Sequence, residues 1–121
     1  METDASSLDF WQNLEKLIVN HPVMIDRPKG GAHPRFSEMI YPLDYGYLEG
    51  TQTVDGSGID VWLGSRNRQC LNGVLLTVDL SKQDAEIKLL LGCDPAEIET
   101  IRSFLHHHGM PVLVVHRKGV E

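Results

Sequence analysis

The chain has 121 residues, of which 41% are hydrophobic and 23% are charged, and its formal net charge is -6. This length and composition fit one folded domain with a single modest core and exclude an intrinsically disordered chain. The acidic balance argues against sequence-independent binding of nucleic acid, which needs a basic surface. We therefore predict one domain over residues 1–121 and no nucleic-acid partner.

The apolar runs and the cysteines indicate the cellular compartment in which the protein is expected. No apolar run approaches the ~20 residues of a membrane helix. The first ten residues, METDASSLDF, are acidic and polar, unlike a signal peptide. Cys70 and Cys93 form no C-x-x-C spacing, so we expect two reduced thiols and neither a zinc knuckle nor a redox pair. The sequence predicts a cytoplasmic protein without a membrane partner.

The first predicted element is a helix over residues 7–20, within an N-terminal helical extension over 1–21. Ser7 is the expected N-cap, and Pro22 follows the helix end. Apolar residues recur at helical spacing and form one stripe, at Leu8, Trp11, Leu14, Leu17 and Ile18. The stripe packs either on the domain itself or on a partner chain.

The rest of the chain alternates short apolar segments with turns. The Gly- and Pro-rich segment DRPKGGAHPR predicts a loop, and residues 36–47 are expected to be irregular or extended. A second helix begins at Asp94-Pro95-Ala96-Glu97 and ends before Gly109. Strands are predicted at 23–25, 59–63, 74–80, 87–91 and 112–115. This order predicts an α+β fold, a small closed or partly closed antiparallel β-barrel with a helix against it.

Residues 41–60, YPLDYGYLEGTQTVDGSGID, contain the densest group of chemically useful side chains. Asp55 lies ten residues after Tyr45, and Asp60 follows. Two carboxylates on a glycine-rich turn, with a tyrosine at fixed distance, suit a divalent cation and the phosphate it neutralises. Asp-Gly is also a favoured turn pair, so Asp55 has a purely structural alternative. Asp60 needs more explanation because it lies within the apolar strand IDVWL.

Two further charged segments are candidates. The hairpin SKQDAEIKLLL places Asp84 and Glu86 just before Lys88, although an exposed hairpin commonly carries charge for solubility. Arg27, Lys29 and Arg35 form a local positive patch, and arginine contacts suit phosphate oxygens. Solvated loop charge is the alternative. The histidines at 106–108 end the second helix, where the helix dipole favours protonated imidazole.

These segments together resemble the soluble family I inorganic pyrophosphatases, whose pattern is approximately YPxNYGY, a spacer and DGDPxDV. The resemblance covers about residues 24–116 and is specific over 41–62. Ser57 stands at the middle Asp of the pattern, and Gly58 at its Pro. The resemblance implies an OB-like barrel, and it suggests a homo-oligomer.

The resemblance also implies roles for particular residues. Asp55, Asp60 and Tyr45 would be catalytic. Asp55 and Asp60, together with Asp84 and Glu86, would bind Mg²⁺.

Phosphate binding is implied for Lys29, Arg35, Tyr45 and Lys88. Arg35 approximates the position of a family lysine, and Lys88 matches another. A family hairpin that bears a phosphate-binding arginine has no counterpart between Arg35 and Tyr41.

The implied function is Mg²⁺-dependent hydrolysis of pyrophosphate or a related phosphoanhydride, with weak turnover because Ser57 replaces a carboxylate. An alternative of another class is a non-catalytic phosphate- or nucleotide-binding module on the same scaffold. A third is a structural protein that docks on a partner through its N-terminal helix.

Overall fold

The computed structural model describes residues 5–119, which form helices on a six-stranded sheet. The elements in chain order are α1 Ala5–Asn20, β1 Val23–Arg27, β2 Asp44–Leu48, β3 Ile59–Leu63, β4 Leu71–Asp79, β5 Asp84–Leu91, α2 Pro95–His107 and β6 Val112–His116. Each predicted strand is present, and most are longer than predicted. The regular strand β2 begins inside residues 36–47, which were expected to be irregular or extended, and continues to Leu48.

Helix α1 begins earlier than its sequence signals indicate. It spans Ala5–Asn20, so Ser7 lies within the helix and the prediction of an N-cap there is wrong. Residues 1–4 of the predicted extension lie outside the described residues. Four residues of the apolar stripe of α1 pack on the sheet of its own chain, as the first alternative expected: Trp11, Leu14, Leu17 and Ile18. Leu8 is exposed.

The sheet differs from the predicted antiparallel barrel. Its strand order is β1-β2-β3-β5-β4-β6, and over residues 5–119 it is an open mixed sheet and not a closed barrel. β3 pairs with β5 in parallel, whereas the other neighbouring strands are antiparallel. The physical reason is that the paired segments, residues 61–63 of β3 and 89–91 of β5, are apolar on both faces, which is typical of a buried parallel pair at the centre of a sheet. The α+β class of the prediction is compatible with this fold.

The two helices cover opposite faces of the sheet. Side chains alternate between faces along a strand, and this alternation separates two clusters of buried residues. On β3, Val61 and Leu63 pack with α1, whereas Trp62 packs with α2. On β5, Leu89 packs with α1 and Leu90 packs with α2. Asp60 and Lys88 therefore share the α2 face with Trp62 and Leu90.

Helix α2 begins where the sequence predicts. Asp94 is the N-cap, and its side chain accepts from the Glu97 backbone N–H. The Glu97 side chain in turn accepts from the Asp94 backbone N–H. Pro95 follows at the first helical position, where its missing N–H costs nothing. In the described part of the chain, neither helix is long and apolar enough to cross a bilayer.

Candidate functional site

Lys88 is the centre of a polar cluster on the α2 face. Its Nζ donates to the Tyr45 hydroxyl at 2.7 Å, to Asp60 Oδ2 at 2.8 Å and to Glu86 Oε1 at 3.1 Å. The four residues come from three strands, and all four were predicted to be functional. The structure thus brings together one tyrosine, one lysine and two carboxylates of the predicted set.

The parallel pairing of β3 and β5 creates this cluster. Val61 lies opposite Leu89 in that register, so the residues that precede them, Asp60 and Lys88, come side by side. Antiparallel β2 brings Tyr45 to the same face from the other side of β3. Lys88 is 28 positions from Asp60 in the sequence, and this pairing makes it the ion-pair partner of Asp60.

Burial and charge fix the protonation of the cluster. The side chain of Lys88 is 10% exposed, whereas those of Asp60 and Glu86 are 30% and 33% exposed. Burial alone lowers the pKa of Lys88, but the interactions with Tyr45 and Asp60 outweigh it and raise that pKa. Burial raises the pKa of the Tyr45 hydroxyl. At neutral pH the cluster therefore contains a lysine cation and a neutral tyrosine.

The remaining aspartates of the hairpin lie at its turn. Asp84 is opposite Asp79 at the end of the β4–β5 pair. The Asp79 carboxylate accepts from the Ser81 backbone N–H, the Ser81 hydroxyl and the Lys82 backbone N–H. Asp79 therefore stabilises the turn. Strand alternation places Asp84 on the same face as Glu86.

Asp55 lies in the loop before β3 and bonds within its own turn. Its carboxylate accepts from the Thr53 hydroxyl and from the Ser57 backbone N–H, and the group is fully exposed. The Thr53 hydrogen bond lowers the pKa of Asp55. Ser57, at the position where the resemblance expects a carboxylate, contributes backbone atoms to this turn. The turn alternative for Asp55 thus has direct support in the local geometry.

The basic loop between β1 and β2 is held by Asp44. That carboxylate accepts from the Lys29 backbone N–H at 2.7 Å and forms an ion pair with Arg68 at 3.0 Å. Arg35 is exposed, and its backbone N–H donates to His33 Nδ1. The backbone of the loop is therefore held at Lys29, and the Arg35 side chain is exposed to solvent.

Arg27 and Tyr41 also belong to this region, although neither was among the predicted site residues. Arg27 Nη1 donates to the Tyr41 hydroxyl, and its guanidinium lies over the rings of Tyr41 and Tyr45, 5.3 and 5.6 Å from their centroids. Trp62 and Phe104 pack on Tyr41 from the other sides. The sequence features that could have identified them were the positive patch, which includes Arg27, and the Tyr-Pro pair that begins with Tyr41.

The histidines at 106–108 lie at the end of α2, as the sequence predicts. His108 is the C-cap, and its ring lies 5.0 Å from both the Phe104 and His107 rings. His106 and His107 lie in the last turn. Cys93 is buried, and burial raises the pKa of its thiol to about 12, whereas Cys70 is partly exposed.

The carboxylates of the cluster provide only part of the ligands that a magnesium ion needs. Between residues 5 and 119, no three His, Cys, Asp or Glu side chains are grouped so that they could hold a metal. Asp60 and Glu86 each direct one oxygen to Lys88, and each carboxylate has a second oxygen. Mg²⁺ is commonly held by one or two carboxylates together with substrate phosphates. The donor set therefore suits a Mg²⁺ ion that arrives with a phosphorylated ligand, and not a cage built from protein alone.

Comparison with solved structures identifies a similar fold. The chain is similar to an inorganic pyrophosphatase from Coxiella burnetii, with a TM-score of 0.52 and 17% sequence identity. The match covers 82% of this chain and 83% of that one. No protein-family model matches the chain, and no curated protein matches it. This chain therefore has a pyrophosphatase-like fold, and at this identity the likeness concerns the fold alone.

Proposed function

We propose that this protein is a pyrophosphatase-like hydrolase that cleaves pyrophosphate or a related phosphoanhydride with Mg²⁺. The observation that carries the proposal is the convergence of Tyr45, Asp60 and Lys88 from three strands. Hydrophobic residues commonly stabilise such buried positions as well as or better than a lysine with two carboxylates. The presence of these charges therefore favours a role in function. The pyrophosphatase-like fold supports the choice of ligand.

The protein side chains bind and orient the ligand in this proposal. Lys88 places a positive charge beside the phosphates, although its three N–H bonds are directed to Tyr45, Asp60 and Glu86 in the structure, and the neutral tyrosine has an O–H donor. Asp60 holds Lys88 in place and keeps it charged. Such fixed donors stabilise negative charge that develops on the phosphates during cleavage.

Asp60 and Glu86 are the residues that would hold Mg²⁺. When bound, the ion supplies charge neutralisation at the phosphates and lowers the pKa of a bound water. Because Lys88 already neutralises part of this carboxylate pair, we expect weak affinity for Mg²⁺ alone and tighter binding together with pyrophosphate.

The Asp60→Asn variant tests the proposal. The asparagine oxygen can still accept from Lys88, but the charge at this position is lost. We expect phosphate release from pyrophosphate to fall about 10²-fold. The measurement is phosphate release with and without Mg²⁺, with the uncatalysed rate as baseline.

Glu99→Gln is the matched control. Glu99 is an exposed carboxylate on α2 that pairs with Arg102 at 3.2 Å, so its loss should leave turnover unchanged. Wild-type turnover that needs no Mg²⁺ contradicts the metal dependence. Full activity in Asp60→Asn contradicts the site. No wild-type turnover above baseline contradicts the hydrolase altogether.

The second candidate function is a phosphate- or nucleotide-binding module without catalysis. The turn at Asp55 favours it, because that carboxylate is bonded to Thr53 and Ser57 and the pattern's central carboxylate is absent. In this case we expect the wild type to bind pyrophosphate, with or without metal, and to release no phosphate.

The Ser57→Asp variant distinguishes a missing carboxylate from a different function. Ser57 lies in an exposed turn without a positive φ, so aspartate is tolerated there. If Ser57 marks a lost general-base group, Mg²⁺-dependent phosphate release should rise about tenfold or more. Ser57→Asn is the control for side-chain size. An unchanged rate in Ser57→Asp contradicts the explanation of weak turnover by Ser57.

A further inference from the structure

Strand β6 lies at an edge of the sheet and has none of the usual features that prevent an edge from pairing with another chain. Within residues 5–119, the strand that pairs with it is β4. The β6 sequence, VLVVH, contains no proline, lysine or acidic residue, and its pairing with β4 has no register shift. Edge strands that stay unpaired are commonly protected by such residues or by a bulge. The β6 edge is therefore suited to pairing with a further strand.

The opposite edge strand, β1, has this protection. A register shift between Ile25 and Arg27 interrupts its pairing with β2, and the charged residues Asp26 and Arg27 lie at the same place. A bulge twists an edge strand away from a flat partner, and charged side chains oppose pairing. The two edges of the sheet therefore differ, and β6 is the edge that favours association.

The backbone groups of β6 that point away from the sheet follow from its bonds to β4. The Arg117 N–H, directly after β6, donates to the Asn72 carbonyl at 2.9 Å. Along an antiparallel strand the N–H and C=O groups alternate between the two sides, so those of Leu113 and Val115 also face β4. The free side of β6 therefore presents one donor and one acceptor at every second residue, at Val112, Val114 and His116.

The side chains beside this edge are apolar on the α1 face of the sheet. Val115 lies opposite Val74, which packs with α1, and Leu113 lies opposite Leu76. Leu113 is 61% exposed and Val115 is 38% exposed, so α1 leaves this part of the face uncovered. A strand that pairs with β6 buries more of these side chains if its own residues on this face are apolar.

We propose that β6 pairs antiparallel with β6 of a second copy of this chain, about a two-fold axis at Val114. In this register Val114 exchanges hydrogen bonds with the partner's Val114, and Val112 exchanges them with the partner's His116. Leu113 comes opposite the partner's Val115 in a non-hydrogen-bonded pair, where side chains approach most closely.

The strand is thus complementary to itself. One register uses all of its outward backbone groups and also places exposed apolar side chains opposite each other. A shift by one residue places outward groups opposite groups that already face β4. A shift by two residues preserves the alternation but leaves outward groups unpaired at the strand ends. This agreement of backbone and side chains favours a second copy of the chain over an unrelated strand.

The dimer should be weak because the pairing is short. A five-residue strand buries less surface than the ~1,600 Å² of a typical stable interface, so we expect a dissociation constant of about 10 µM. Sedimentation velocity of the full chain, from about 1 µM to about 200 µM, should show the monomer converting to a dimer. A wild type that stays monomeric throughout this range overturns the proposal.

The Leu113→Lys variant tests the surface. The side chain is exposed in one copy of the chain, so the variant should fold, and circular dichroism checks this. The two-fold axis places the substitution in the interface twice, and we expect the dimer to weaken about 100-fold. Ile25→Lys, at a half-exposed position of the β1 edge, is the matched control and should dimerise as the wild type does. Dimerisation of Leu113→Lys at wild-type strength, or its loss in Ile25→Lys, overturns the assignment to β6.

Introduced thiols test the register. An equimolar mixture of the Leu113→Cys and Val115→Cys variants should form a disulfide-linked dimer with one chain of each kind under mild oxidation, because facing Cβ atoms of a non-hydrogen-bonded pair lie within disulfide reach. Each variant alone should cross-link far less, since its two thiols lie diagonally across the pair. Mass spectrometry identifies the linked chains, and the wild type, with Cys70 and Cys93, is the control. Equal cross-linking in the mixture and in the separate variants overturns the register.

Discussion

Replacing Lys88 by methionine should abolish ligand binding and turnover and also destabilise the protein. Lys88 is the shared partner of Tyr45, Asp60 and Glu86, so its loss removes a phosphate-binding cation and leaves two carboxylates without their counter-ion. We expect pyrophosphate hydrolysis to fall about 10³-fold, since charge stabilisation and positioning are lost together. Phosphate release measures the first effect, and urea denaturation measures the second.

The stability loss should be moderate. Breaking a fully buried ion pair costs about 3–5 kcal/mol, but Asp60 and Glu86 are 30% and 33% exposed and water screens them. We therefore expect the free energy of unfolding to fall by about 2 kcal/mol. Lys16→Met, at an exposed position of α1, is the control and should unfold as the wild type does.

The dependence on pH identifies the ionic origin of that loss. The pKa of Lys88 is raised in the folded state, so its stabilising contribution is complete below the unfolded-state pKa of about 10.4 and is lost as pH rises through the folded-state value. The stability difference between wild type and Lys88→Met should therefore be full at pH 7 and should narrow as pH rises above about 10.4. A difference that stays constant between pH 7 and about pH 11 contradicts an ionic cause and indicates lost packing.

The local elements followed from the sequence because their signals are local. Apolar runs bounded by turn residues predicted β3 at 59–63, and Asp94 with Glu97 predicted the start of α2. The sheet topology did not follow. The sequence of a short apolar strand does not indicate which strand it pairs with. The parallel pairing of β3 and β5 depends on the burial of both faces of residues 61–63 and 89–91. The predicted antiparallel barrel was wrong for this reason.

The candidate site followed in part. The resemblance placed Tyr45, Asp60, Glu86 and Lys88 in one site, and the structure brings these four together. The resemblance also placed Asp55 in this site, and that role stays a prediction, because an Asp-Gly pair serves a turn equally well and the Asp55 carboxylate bonds within its own turn.

Arg27 was also missed as a site residue. Its position depends on a bulge and on the packing of Tyr41, and both are tertiary features that no spacing rule reports. Lys29 and Arg35 remain predictions as phosphate-binding residues.

Gly46→Ala should be the most destabilising single change of the YGY motif. A Cβ at Gly46 would lie 2.0 Å from the Met24 carbonyl oxygen and 2.9 Å from the Met24 carbonyl carbon. Both are backbone atoms of β1, so relief requires β1 to move away from β2. We expect the free energy of unfolding to fall by about 3 kcal/mol or more, measured by urea denaturation.

Gly109→Ala separates this clash from the general cost of replacing glycine. Gly109 has a φ of 82° and no atom within 4 Å of its Cβ position, so alanine there pays only the backbone cost of about 1 kcal/mol. Gly46 is in a strand, and its penalty comes from contact with Met24. If the free energy of unfolding of Gly46→Ala is within about 1 kcal/mol of that of Gly109→Ala, β1 and β2 are not paired as closely as the structure shows.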